Sequence, residues 1–71
     1  MSIRIRKLFG NRVRELRLQA GMSQEAFADK VGFDRTYISG IERGKRNPSL
    51  DAIEIISKGL GESVSSMFEA S

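Results

Sequence analysis

The sequence of 71 residues contains no cysteine and no histidine, and these two absences exclude several functions at once. Without thiol or imidazole groups there is no disulfide, no cysteine–histidine zinc site, no thiol nucleophile and no histidine acid–base catalyst. No nucleophile–base pair or phosphate-cradling loop is visible either, so we expect no enzyme, no catalytic or metal-binding residue and no cofactor. Because so short a chain has a thin core, self-association is the remaining way to strengthen it.

Long apolar runs are missing as well. No segment approaches the roughly 20 apolar residues of a membrane span. The basic start of the chain, residues 1–7, is not followed by the apolar stretch of a secretory signal. The lack of cysteine fits a reducing compartment. We therefore expect a cytoplasmic protein without membrane contact, folded as a single domain over residues 1–71.

Charge is distributed unevenly, although the net charge is only +3. Residues 1–20 carry six lysines or arginines against one glutamate, whereas residues 48–71 carry one lysine against four acidic residues. This asymmetry indicates one face for a polyanion and another that is kept away from it. A solvated surface with chance asymmetry fits equally well, so charge alone leaves both alternatives open.

Apolar spacings of three and four, punctuated by glycine and proline, predict an all-α fold. No segment shows the strict alternation of a half-buried strand. Serine or aspartate is placed to cap four of the helices, and a glycine follows each of the first four. The predicted helices cover residues 4–20, 24–31, 35–43 and 50–60, with a short fifth helix within 64–68.

The second and third predicted helices are joined by residues 32–34 and match the helix-turn-helix pattern. Ala28 is small where the two helices cross, and Ile38 and Ile41 face inward. The opposite face of the third helix is polar, and Gly40 on it leaves room for close approach to a ligand. Recognition helices use such a face, chiefly its N-terminal residues, to read base edges in a major groove. The expected base contacts are Arg35, Thr36, Tyr37 and Ser39.

Simpler structural roles remain open for several of these side chains. Thr36 could merely fill the helix, and Tyr37 could cover the edge of the core. The positive charges of Arg43, Lys45 and Arg46 could be solvated loop charges. Their position directly beyond the third helix favours phosphate contact instead.

The C-terminal third has more apolar residues than one inner helix face requires, which indicates a second buried surface. A two-fold interface is the most common solution. We expect a dimerisation region at about residues 50–70. The alternative is that the fifth helix folds back and uses all these side chains internally. The expected interface residues are Ile55, Ile56, Val64 and Met67.

Three segments resemble the Cro and phage-repressor (Xre-type) helix-turn-helix family: VRELR at 13–17, GMSQEAFA at 21–28 and ISGIERGKRNPSL at 38–50. The segment DRTYISGIER at 34–43 more narrowly resembles the controller proteins of bacterial restriction–modification systems. The resemblance implies a compact five-helix bundle, a lambda-repressor-like DNA-binding domain, with its helix-turn-helix at residues 24–43 and a dimer built from the C-terminal helices.

The resemblance also implies roles for particular residues. Gln24 would contact a phosphate at the start of the second helix. Arg17 would pair with Glu42 and lock the first helix to the third. Arg46 and Asn47 would reach the DNA backbone or the minor groove.

The expected function is a sequence-specific transcription regulator that binds a palindromic operator in double-stranded DNA as a homodimer. Likeness to the controllers implies activation of a restriction–modification operon at low concentration and repression at high concentration, in the bacterial cytoplasm, with RNA polymerase as a further candidate partner. A phage-type or toxin–antitoxin repressor remains open. So does a protein-interaction module that binds DNA only non-specifically.

Overall fold

The computed structural model describes residues 1–69, and within them the chain forms five α-helices and no strand. The helices are α1 (Ile3–Gln19), α2 (Gln24–Val31), α3 (Arg35–Glu42), α4 (Leu50–Gly59) and α5 (Val64–Met67). This confirms the predicted all-α class, with ends that differ from the predicted ones by a residue or so. Residues 70 and 71 lie outside the described residues. The predicted domain includes both of them, and the predicted dimerisation region includes residue 70.

Side-chain caps fix where the helices begin. The hydroxyl of Ser23 accepts a hydrogen bond from the N–H of Ala26 (3.0 Å). Ser2 caps α1 in the same way through the N–H of Ile5 (3.2 Å), so α1 begins one residue earlier than predicted. Each cap satisfies an amide that has no partner inside its helix.

The turn between α2 and α3 depends on Gly32. Its φ of +77° lies in the left-handed region, which glycine adopts without the penalty that a Cβ brings. The N–H groups of Gly32 and Phe33 both donate to the carbonyl of Ala28 and close α2. Only Phe33 and Asp34 then separate this glycine from α3, so the two helices are held in a short, sharp connection.

The core lies against the inner face of α3. Helix α1 packs on α3 and α5, while α2 packs on α3 and α4. Burial of each large apolar side chain contributes about 1.5–3 kcal/mol. Because this core covers one side of α3 only, the opposite side faces solvent. The buried core residues are Phe9, Val13, Phe27, Ala28, Ile38, Ile41, Ile53, Ile56 and Met67.

Two glycines inside helices allow close helix crossings. At Gly10 of α1, a Cβ would overlap the carbonyl oxygen of Ile41 and lie 3.0 Å from that of Glu42 at the end of α3. At Gly59 of α4, a Cβ would collide with the side chain of Val31. The crossings explain why glycine is present despite a helix cost of about 1 kcal/mol relative to alanine.

Gly10→Ala is expected to lower the free energy of unfolding by about 1–3 kcal/mol. The added methyl group meets backbone rather than a flexible side chain, so α1 has to move away from α3. The matched control is Asn11→Ala, at the neighbouring exposed position, which should gain a few tenths of a kcal/mol from helix propensity. Urea unfolding followed by circular dichroism measures both variants. A midpoint for Gly10→Ala at or above that of the unmodified chain would contradict the close crossing.

Candidate nucleic-acid interface

The solvent-facing side of α3 carries the residues that were predicted to contact bases. Arg35 and Thr36 are exposed at its N-terminal end, and Ser39 is half-buried one turn further on. Because residues three or four apart share a helix face, Thr36, Ser39 and Arg43 form one polar stripe. Within residues 1–69, Arg35 takes part in no salt bridge. Its guanidinium therefore remains a free donor for a ligand.

Asp34 caps α3 and also engages the side chain of Thr36. Its Oδ1 accepts hydrogen bonds from the Thr36 backbone N–H (2.9 Å) and from the Thr36 hydroxyl (2.8 Å). These two hydrogen bonds hold the pKa of Asp34 below its ordinary value, and the one from the backbone N–H has the larger effect. The carboxylate is therefore ionised at neutral pH. Sequence alone predicts the cap but not the bond between the two side chains.

Arg46, in the loop after α3, lies back over that helix. Its guanidinium carbon is 5.6 Å from the ring centroid of Tyr37, within the range of a cation–π interaction. The Tyr37 ring is half-buried and packs on Phe33, with centroids 5.1 Å apart. A Cβ on Gly40 would lie only 2.7 Å from Cγ of Arg46. The side chain of Arg46 therefore fills the space next to Gly40. The prediction that this space is open to a ligand is wrong.

The loop of residues 43–49 is tied to the end of α3. The backbone N–H groups of Lys45 and Arg46 both donate to the carbonyl of Gly40, at 2.8 and 3.3 Å. The side chains of Arg43, Lys45, Arg46 and Asn47 are all exposed there. The C-terminal end of a helix favours cations, and three of them, Arg43, Lys45 and Arg46, lie within four residues there. These three residues form a cationic rim next to the exposed face of α3.

A buried network of hydrogen bonds connects α1, α2 and α3. Arg17 binds Glu42 through two bonds, Nε to Oε2 at 2.7 Å and Nη2 to Oε1 at 2.9 Å. The hydrogen bond to Glu42 raises the pKa of Arg17 above its ordinary value, although burial opposes this. Gln24 donates from Nε2 to Oε1 of Glu42 at 3.1 Å. The pair that the resemblance implied is thus present, and Gln24 keeps its second amide hydrogen for another acceptor.

The residues predicted at a dimer interface fall into two groups. Ile55 and Val64 are 43% and 42% exposed, whereas Ile56 and Met67 are fully buried. The prediction is wrong for Ile56 and Met67. Ile56 belongs to the inner stripe of α4, and α5 folds back so that Met67 enters the core. Only the first two have surface left for a second chain.

Two helices joined by a three-residue turn, the second with one buried and one polar face, define a helix-turn-helix protein. The cationic rim beside that polar face is typical of proteins that bind nucleic acids. The chain belongs to the Helix-turn-helix family HTH_3, whose family model matches residues 13–66.

Curated and solved relatives place the chain near restriction–modification controllers. It is 58% identical to the control protein C.BamHI of Bacillus amyloliquefaciens over 62 residues, which are 86% of this chain and 76% of that protein. The fold matches the controller protein C.AhdI of Aeromonas hydrophila with a TM-score of 0.84 and 43% identity, covering 89% of this chain and 96% of the other.

A third relative was solved with DNA. This is the controller protein C.Esp1396I, as a tetramer in complex with its natural 35 base-pair operator. The TM-score is 0.80 at 42% identity, with 90% of this chain and 84% of that chain covered. Both the fold and the Xre-type resemblance are therefore confirmed.

Proposed function

We propose that this chain is a sequence-specific DNA-binding transcription regulator that acts as a homodimer. The observation that carries the proposal is the exposed polar face of α3, with the free guanidinium of Arg35 at its start and the cationic rim at its end. An α-helix fits the B-DNA major groove, and arginine makes two hydrogen bonds to guanine there. The rim supplies phosphate contacts that set the orientation of α3 but do not read sequence.

The proposed base contacts come from the N-terminal half of α3 and the proposed phosphate contacts from its surroundings. Tyr37 is half-buried, packs on Phe33 and lies under Arg46, so only part of its side chain is left for a ligand. The residues proposed to contact bases are Arg35, Thr36, Tyr37 and Ser39. Those proposed to contact the DNA backbone are Gln24, Arg43, Lys45, Arg46 and Asn47.

Size supports a dimer. The described residues of one copy extend over 27 × 21 × 19 Å. Two half-sites of a palindrome lie about 34–36 Å apart along the same face of DNA, which one copy cannot span. We propose that the dimerisation region, about residues 50–70 of a single domain over 1–71, brings two copies together, with Ile55 and Val64 as exposed apolar contacts.

The regulated genes are proposed to be those of a restriction–modification system, in the bacterial cytoplasm. Support comes from the relatives named as control or controller proteins. We further propose that the chain has no enzymatic activity, activates its operon at low concentration through contact with RNA polymerase, and represses at high concentration. A tetramer on a 35 base-pair operator, as in C.Esp1396I, offers a physical means for the second step, because a second dimer can follow the first.

The function is tested by selecting bound duplexes from a pool with 35 random base pairs, the length of the C.Esp1396I operator, and sequencing them. Enrichment of inverted half-sites about 10 base pairs apart supports a dimeric specific regulator. Two adjacent copies of such a site support the controller role. If no sequence is enriched and binding collapses between about 50 and 200 mM salt, only phosphate contact remains. That result contradicts the proposal and leaves a protein-interaction module.

The dimer proposal predicts the effect of a charge at Ile55. Ile55→Glu is expected to raise the dimer dissociation constant by at least about thirtyfold, because burying an unpaired charge in an apolar interface costs about 2 kcal/mol or more. The matched control is Leu18→Glu on α1, which places the same charge at an exposed apolar site outside the C-terminal helices. Sedimentation velocity over a concentration series measures both. Equal dissociation constants for the two variants would rule out Ile55 as an interface residue.

A further inference from the structure

The hydroxyl of Thr36 lies on the face of α3 that is proposed to enter the major groove, and its hydrogen already has a partner. The hydroxyl oxygen is 2.8 Å from Oδ1 of Asp34, and the same carboxylate oxygen also accepts the Thr36 backbone N–H at 2.9 Å. Both residues are exposed, so this pair is formed at the surface where a ligand would bind.

The direction of that hydrogen bond is fixed by chemistry. An ionised carboxylate has no hydrogen to give, so it can only accept, and the hydroxyl has to be the donor. A threonine hydroxyl has one hydrogen and two lone pairs. With the hydrogen directed to Asp34, the side chain presents only lone pairs and a methyl group to a ligand.

The major groove offers a simple division between bases. Adenine and cytosine each display an amino group there, which donates, whereas guanine and thymine display a carbonyl oxygen, which accepts. A hydroxyl that can only accept forms a hydrogen bond with the amino group of adenine or cytosine. Against the carbonyl oxygen of guanine or thymine, it places one lone pair opposite another, and no hydrogen bond forms. Every base pair has one base of each kind, so the distinction concerns which strand carries the amino base.

We propose that Thr36 reads an amino base, adenine or cytosine, on the strand that it faces, and that Asp34 is a positioning residue which sets this preference. The inference rests on the proposed function, in which α3 lies in the major groove. It assigns to Asp34 a role beyond capping, since the carboxylate decides whether the hydroxyl donates or accepts.

Matched variants separate the hydroxyl from the methyl group. Thr36→Ser keeps the hydroxyl and its bond to Asp34, whereas Thr36→Val keeps the shape and removes the hydroxyl. Bound duplexes are selected from the random pool with the unmodified chain and with Thr36→Val. Comparison of the two selected sets locates the base pair at which the preferred base changes. Binding is then measured on four duplexes that differ only at that pair in both half-sites.

For the unmodified chain and Thr36→Ser, we expect the two amino bases to bind alike and the two carbonyl bases about fivefold more weakly for each half-site. For Thr36→Val, all four duplexes should agree within about twofold. For Asp34→Ala, the hydroxyl is free to donate, so binding to guanine and thymine should recover relative to adenine and cytosine. Thermal unfolding of this variant checks that it is folded. If it is not, the serine and valine variants decide alone.

The contrary results are distinct from failure of the proposed function. Specific binding with a preference for guanine or thymine at this pair would overturn the inference alone. So would a selection in which Thr36→Val prefers the same bases as the unmodified chain at every position, because the methyl group or Asp34 itself would then be the reader. If the unmodified chain selects no sequence at all, the proposed function fails and the inference fails with it.

Discussion

Glu42→Ala is expected to lose about 3–5 kcal/mol of its free energy of unfolding, because the change leaves the positive charge of Arg17 buried without its partner. The two side chains are only 7% and 2% exposed, so water replaces little of the lost interaction. A domain of this size has a free energy of unfolding of only about 5 kcal/mol. The variant should therefore retain only about 0–2 kcal/mol, so that up to about half of the molecules are unfolded at 25 °C at low protein concentration, where dimerisation adds little stability.

A second ion pair provides the matched control. Arg12 and Glu15 also approach to 2.7 Å, but their side chains are 29% and 57% exposed. Glu15→Ala is expected to change the free energy of unfolding by less than about 1 kcal/mol, because water and salt screen exposed pairs. The two ion pairs have the same shortest distance, so the different expected losses of unfolding free energy come from the difference in burial. Urea unfolding at one fixed protein concentration measures both, and equal losses would contradict the structural role of the buried network.

Arg35→Ala is expected to weaken binding to the selected operator by at least about thirtyfold. A two-pronged arginine–guanine contact contributes about 1–3 kcal/mol, and a dimer loses two of them. Binding to a duplex of unrelated sequence should fall far less, because it depends on the phosphate contacts of the cationic rim. The variant should fold normally, since Arg35 is exposed and takes part in neither described salt bridge.

Arg14→Ala removes the same charge from an exposed site on α1 and serves as the control for that loss. It should lower operator and unrelated-duplex binding by similar small factors, so that the ratio between them is kept. Fluorescence anisotropy at fixed salt gives both constants. If Arg35→Ala preserved the ratio of specific to non-specific binding, Arg35 would be a phosphate contact or a bystander rather than a base reader.

Local chemistry allowed the helices and the polar face of α3 to be predicted from the sequence. Caps such as Ser23 and the glycine at position 32 act within a few residues, so they can be read along the chain. The inward Ile38 fixes which side of α3 is left exposed, and the candidate site residues follow from that side.

Features that depend on distant contacts could not be predicted in this way. Ile56 and Met67 are apolar enough for an interface, and only the packing of α4 and of the returning α5 onto the core shows that they are internal. The close crossing at Gly10 depends on where α1 meets α3. The position of Arg46 over Tyr37 depends on the path of a loop. A glycine within an amphipathic helix is the one sequence signal that could have indicated the close crossing at Gly10.

Methylation interference tests most directly whether α3 reads the major groove. Dimethyl sulfate modifies guanine at N7 in the major groove and adenine at N3 in the minor groove, so one reagent reports on both grooves. We expect operator binding to be blocked by N7 methylation at guanines in two clusters whose centres are about 10 base pairs apart, and Arg35→Ala to remove the dependence on those guanines. Interference confined to adenine N3 would contradict the placement of α3 in the major groove, whereas interference at guanine N7 that is the same for Arg35→Ala would contradict Arg35 as the reader of those guanines.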